Sequence, residues 1–496
     1  MSPVGQRDLS GYAWLITILP ALAYLFLSRT IFSSQPGGGG FGRNFPAISD
    51  RILDPSDNAK ALGEIFHVVA SGRGGFEGDG ESGTGGDGTR TLRLSHPLEL
   101  VLSGLPLRSL ISLRWVHDPE LGRGFLLLSD SGGSGRIWRW EVGGGPIAIG
   151  RSLHMEGSGC RSGIWGECVE SGGARAARSD KPPPPGAGSA GLAIEFAKGA
   201  ESHRTGKLVV AERGERRIAR IEDDGARTPL VIEAPSLCRD DGSSDRIVGD
   251  GRVAYSHFGD LIFTDNVLCG SGDSERWRGG VYRLREAVHV PPVPAALSRA
   301  AHGWNATSGP ESQDGTSVSV DHVELLFAGM ERISDVALGG DPGALYVAGI
   351  MRDGQAAVLK LLLDDDEDEK NEGKENQSSK TKGLLKENAK IFYKLTDVAH
   401  QKYWAGPALA VDDTGNIFVG TSVGVTVLDK EGEVLGTLPL HDTSSVETKG
   451  PVSLELGDGY LFIATQMSLM RVRTKAKAAR LATDMVVPPK KKTAAL

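Results

Sequence analysis

Cysteine is scarce in this chain: Cys160, Cys168, Cys238 and Cys269 are the only four in 496 residues. No two form a Cys-x-x-Cys pair, so the spacing of a structural zinc site is missing. The even count leaves room for two disulfides in an oxidising compartment, with three possible connectivities. A basic excess is also missing. Lys and Arg total 55 against 63 Asp and Glu, a net charge of −8. That argues against nucleic acid as the main partner, which would want a basic face. Neither a phosphate-binding P-loop nor a His-Glu-x-x-His helix occurs.

What is present is repetition. Six apolar runs of strand length recur: Phe125–Asp130, Lys207–Glu212, Asp260–Asp265, Ala344–Gly349, Asn416–Thr421 and Tyr460–Thr465. Each is rich in β-branched or aromatic residues. Second strands follow, such as Gly135–Glu141, Arg216–Glu222, Gly280–Leu284, Ala356–Leu362, Gly424–Leu428 and Leu469–Arg473. The starts of the last two runs, Asn416 and Tyr460, are 44 residues apart. That is close to the roughly 40–50 residues of a four-stranded propeller blade. Earlier copies are more widely spaced and must hold insertions, which loop-closure entropy tolerates. The expected fold is an all-β, six-bladed β-propeller over 96–474, preceded by an N-terminal transmembrane helix and a disordered stalk. His96–Gly104 is expected to pair with the last blade and close the ring, removing exposed edges.

The flanks have their own character. After a tail over 1–10, Gly11–Leu27 is 17 mostly apolar residues, long enough at the low end to span a bilayer. Tyr12, Trp14 and Tyr24 suit the interface. Ala21-Leu22-Ala23 lies inside the apolar core, not past it, so an uncleaved signal anchor over 11–32 is expected. Basic residues are nearly balanced across it. Asn305 and Asn376 open Asn-x-Ser/Thr sequons, and the propeller is placed on the lumenal or extracellular side. Residues 33–95 are Gly-rich and read as a low-complexity stalk, with Ile65–Ala70 as a short strand within it. Three insertions fall at about 157–188, 288–316 and 364–390, the last opening on the acidic run Asp364–Glu369. A basic tail, 475–496, ends the chain.

The blade sequences resemble one family. Ala211–Arg220 (AERGERRIAR) is similar to the E-x-G-N-R-R-(I/V)-x-R turn of the SMP-30/gluconolactonase/luciferin-regenerating-enzyme (LRE-like) family. Leu261–Asp265 with Gly280–Leu284 resembles its I-Y-F-T-D and G-V-Y-R-L pair. Leu127–Asp130 with Arg136–Trp140, and Gly424–Leu428 with Leu435–Pro439, resemble further segments. The resemblance implies a six-bladed propeller. Many members hydrolyse lactones or related esters with one divalent cation in the central channel, held by oxygen ligands. This chain departs at each implied ligand: Ile111 stands for the Glu, Gly249-Asp250-Gly251-Arg252 for S-P-N-D, Ile333-Ser334-Asp335 for P-N-G, and Gly406-Pro407-Ala408 for P-D-G. Ser189-Ala190-Gly191 replaces the substrate-side S-N-G.

The expectation is therefore a degenerate metal site with no cofactor, on a ligand- or protein-binding module. Arg114, Arg252, Arg332 and Ser334 are the candidate ligand-binding residues, suited to a small anion. Snorkelling of the arginines from the channel rim is the plain alternative. A divergent lactone or ester hydrolase is the second reading, with calcium, zinc or magnesium on a rearranged set including Asp250 and Asp335. A strictosidine-synthase-like propeller is the third.

Overall fold

The computed structural model describes residues 52–53, 59–71, 91–94, 98–103, 110–118, 123–130, 136–141, 146–151, 189–195, 207–222, 227–239, 241–256, 259–271, 274–285, 287, 322–341, 343–363, 389–395, 406–422, 424–440, 450–465 and 468–479. Gly11–Leu27, Cys160, Cys168, Asn305 and Asn376 lie outside them. Among the described residues no helix is long and apolar enough to cross a membrane.

Six antiparallel four-stranded units follow one another. Blade 1 comprises Leu110–Asp118, Arg123–Asp130, Arg136–Glu141 and Pro146–Arg151. Blade 2 comprises Ser189–Glu195, Lys207–Glu212, Arg217–Ile221 and Arg227–Val231. Blades 3 and 4 share one long strand, Val323–Leu338. Its first half is the outer edge of blade 3, after Val253–Tyr255, Leu261–Cys269 and Arg276–Leu284. Its second half is the inner strand of blade 4, before Ala344–Met351, Ala356–Leu362 and Ala389–Leu395. Blade 5 is Ala408–Val411, Ile417–Gly420, Gly424–Leu428 and Val434–Pro439. Blade 6 is Ser453–Gly457, Tyr460–Ala464 and Ser468–Arg473, completed by Glu99–Ser103 from the other end of the chain. The expected ring closure is therefore observed. Each inner strand touches the next around the ring, and the last touches the first.

The six sequence runs are the second strands of the blades. They are apolar throughout because both faces are covered. In Ala344–Met351, Leu345 and Val347 join the core shared with blade 3, while Ala344, Tyr346 and Ala348 join the core shared with blade 5. The described core divides in this way into six clusters, one at each blade interface. Side chains that alternate across a strand thus enter two different cores.

Between blades 2 and 3 the core includes charge. Arg220 is 2% exposed and donates to Glu195 (3.0 Å) and Glu222 (2.8 Å). Tyr255 from blade 3 donates to Glu195 at 2.7 Å. Burial raises the Glu195 pKa against the pull of Arg220. At Glu222 burial acts upward too, but bonds from Lys207, Thr228 and Arg220 outweigh it and hold the group below its usual range.

Two expectations at the flanks need correction. The stalk over 33–95 contains packed structure: the helix Ala59–Ile65 and a three-stranded sheet of Ile52–Leu53, Thr91–Leu94 and Val68–Ser71. Leu62 and Phe66 are fully buried in the core between blades 5 and 6. Three apolar side chains, Leu62, Ile65 and Phe66, are enough to dock the segment although its surroundings are Gly-rich. The tail 475–496 also begins inside the fold. Lys475 donates its amide to Ile65 (2.8 Å), and Ala479 donates to Val411 at 3.0 Å. The third insertion ends earlier than expected, because Ala389–Leu395 is the outer strand of blade 4.

Candidate functional site

Inner strands converge on a central channel, and their first residues form its mouth. Local geometry fixes Arg252 there. The amide of Arg252 donates to Thr264 Oγ1 (2.8 Å), and the Thr264 amide returns a bond to the Arg252 carbonyl at 3.0 Å. Gly251 lies so close that a Cβ would stand 1.6 Å from the Thr264 carbonyl oxygen. No other residue fits there without moving the strand.

From this anchor the Arg252 side chain crosses the channel, only 8% exposed. Nε donates to the Ser334 carbonyl at 3.1 Å, one terminal nitrogen to the Ile111 carbonyl, and the other to the Val452 carbonyl at 2.6 Å. One guanidinium therefore ties blade 3 to blades 4, 1 and 6. Asp335 lies 3.5 Å from Nε. Its carboxylate also accepts the amides of Leu409 and Val336, both at 2.9 Å. Burial raises the Asp335 pKa, while Arg252 and the two amides act in the opposite direction.

The four positions aligned with the family's cation ligands are thus brought together, but as backbone. Ile111 and Ser334 offer carbonyls to Arg252. Ser334 Oγ lies 2.5 Å from the Pro407 carbonyl and 3.1 Å from that of Ala348, so its hydroxyl joins blade 4 to blade 5. Gly251 carries no side chain. Among the described residues no three His, Cys, Asp or Glu side chains converge as a metal cage. At these positions the carboxylate of Asp335 faces a guanidinium that already takes three carbonyl oxygens.

The other candidates separate. Arg114 lines the channel further down, 4.0 Å from Glu455. Arg332 is exposed at the mouth, its guanidinium 5.4 Å from the Trp277 ring centroid. Asp250 sits beside Asp265, not beside Asp335. Burial raises the Asp250 pKa, opposed by Arg213 and Arg332. Asp265 accepts the amides of Val248 and Gly249, yet burial pushes it up to about 7, with nearby Asp250 adding to the rise. Below Arg252 and Asp335 lies a cavity of about 100 Å³, bounded at its far end by Ala478 and Ala479.

Several features escaped the sequence reading. Leu261–Cys269 and Arg276–Leu284 run on four residue pairs beyond Asp265 and Gly280, so their hairpin stands above the mouth by roughly 13 Å. The Cys238–Cys269 disulfide braces its tip, with Cα atoms 5.3 Å apart. The length of the Asp260–Cys269 apolar run was the available signal. The letters Gly420-Thr421-Ser422-Val423-Gly424 match a Gly-x-Ser-x-Gly pattern. A nucleophile elbow needs a strand-to-helix turn, whereas these residues join two strands of blade 5, with Thr421 and Gly424 exchanging backbone bonds.

These features define an all-β propeller with a guanidinium across its channel. Solved structures to which this chain is similar include gluconolactonases. A gluconolactonase from Xanthomonas campestris shares 16% identity over 89% of this chain and 99% of its own, with a TM-score of 0.47. A second protein, described as a putative gluconolactonase, shares 13% over 77% and 93%, TM-score 0.42. The WD40 propeller domain of Doa1 is similar at 7% identity over 75% and 95%, TM-score 0.33. No protein-family model matches the chain, and no curated protein matches it.

Proposed function

We propose that this chain is a membrane-anchored propeller that binds a ligand or protein, with a tethered guanidinium in place of the divalent cation used by metal-dependent lactonases. The observation that carries this reading is the Arg252 side chain, bonded to the Ser334, Ile111 and Val452 carbonyls and facing Asp335. A guanidinium supplies fixed positive charge but no open coordination position. It cannot bind water as a Lewis acid does, so the lactonase route is not carried over. Propeller rims commonly hold binding groups on a rigid frame, and fold alone does not grant catalysis.

In this reading Gly11–Leu27 anchors the chain and the propeller faces the lumen or the exterior. The experiment is a melting curve of the full chain in millimolar calcium, zinc or magnesium, beside a lactone-hydrolysis assay with and without chelator. The expected result is no metal-dependent rise and no chelator-sensitive hydrolysis. Tight binding would add about 2.7 kcal/mol at one hundred times the dissociation constant, and a rise of that size rejects the reading. Anchoring is tested separately by carbonate extraction; recovery of a soluble chain beginning after residue 34 rejects it.

A further inference from the structure

Above Arg252 the mouth carries a second group of residues with chemistry of its own. Asp250 ends the segment leading into blade 3, and its Oδ1 is buried without a hydrogen-bond partner. Arg213, in the turn between two strands of blade 2, and Arg332, at the crossing from blade 3 to blade 4, act on its charge. Both arginines are exposed, and neither reaches that oxygen. Trp277 and Leu268 are cross-strand partners on the raised hairpin, 36% and 43% exposed. Opposed residues share a face. Asn266 lies on that face too, and its side chain bonds the Ile333 backbone in both directions, at 2.8 and 2.9 Å. The face therefore looks toward the inner strand of blade 4, where Arg332 stacks near Trp277.

We propose that Asp250, Arg213, Arg332 and Trp277 form a binding site for a small amphoteric anion with one ammonium and two carboxylates, the chemistry of an acidic amino acid. The proposal rests on the metal-free binding reading above. A buried carboxylate oxygen without a donor is costly, and an ammonium supplies both the hydrogen bond and the opposite charge. A hydroxyl would supply only the first. Two exposed guanidiniums offer planar forks that match carboxylates. Two guanidiniums and one unpartnered carboxylate oxygen match, group for group, a ligand with two carboxylates and one ammonium. Trp277 and Leu268 provide apolar surface for the ligand's methylenes.

The test is calorimetric titration of the full chain with L-glutamate and with glutarate, which has the same carbon chain but no ammonium. Glutamate is expected to bind roughly tenfold or more tightly than glutarate, the range of one charge-assisted hydrogen bond. Asp250→Asn should bring glutamate down to the glutarate level. Arg332→Ala and Arg213→Ala should weaken both. Asp250→Asn removes an uncompensated buried charge, so it is expected to melt no lower than the parent; melting curves on every variant verify folding. Equal binding of the two probes, a preference that survives Asp250→Asn, or no binding of millimolar glutamate would overturn the site. If glutamate fails while calcium also has no effect, this site is rejected and the metal-free reading stands. Calcium-dependent stabilisation of the same chain rejects the metal-free reading instead.

Discussion

Replacing Arg252 by Met keeps most of the side-chain volume and removes the charge. Three hydrogen bonds from a charged donor to buried carbonyls disappear, worth roughly 1.5–3 kcal/mol each in favourable cases. Against this, burying the guanidinium costs several kcal/mol, which the variant no longer bears. Asp335 loses its partner at 3.5 Å but keeps the Leu409 and Val336 amides. The net loss expected from breaking such a buried pair is about 3–5 kcal/mol. With about 2.1 cal/mol/K of unfolding entropy per residue over roughly 380 residues, this lowers Tm by about 4–6 °C. Arg252→Lys should recover part of the loss, because an ammonium restores the charge but not three directed donors. Scanning calorimetry of the parent and both variants measures this. A methionine variant within about 1 °C of the parent, or a lysine variant equal to it, would refute the role given to the guanidinium.

Three further outcomes are expected. Asp265 has a folded pKa of about 7, raised chiefly by burial. For an acid shifted upward, the stabilising contribution is complete below the unfolded value near 3.8 and is lost as pH rises toward 7. Denaturant melts of Asp265→Asn should therefore gain on the parent between pH 4 and pH 7, by at most roughly 4 kcal/mol; a pH-independent difference sinks this. Arg220→Met leaves Glu195 and Glu222 buried without their cation and should cost about 3–5 kcal/mol in denaturant melts; a loss below about 1 kcal/mol would show that the pair is not coupled as drawn. Ending the chain after Arg473 removes the backbone bonds to Ile65 and Val411 and the two alanines at the foot of the cavity. Amide hydrogen exchange should then rise in 408–413 and 59–66 and stay unchanged in 207–212; a uniform rise or no rise contradicts the packing of this segment.

The blade plan was legible in the sequence because it is local. A strand buried on both faces must be apolar along its whole length, and that is how Lys207–Glu212, Ala344–Gly349 and Tyr460–Thr465 read. Ring closure by 96–104 was legible too, since an incomplete last blade needs a fourth strand. The scarcity of acidic side chains at Ile111, Gly251, Ser334 and Pro407 could be read directly. The guanidinium that meets their backbones could not. Arg252 meets carbonyls 82, 141 and 200 positions away, and backbone oxygens leave no trace in residue type. For the same reason the docking of Leu62 and Phe66 between blades 5 and 6 left no sign in a Gly-rich stretch, and 475–479 passed as a tail. Their partners are brought near only when the ring closes. Sequence periodicity determined the second strand of each blade and the number of blades; the meeting of distant backbones at the channel was decided by the tertiary fold, because no local pattern encodes contacts made across blades.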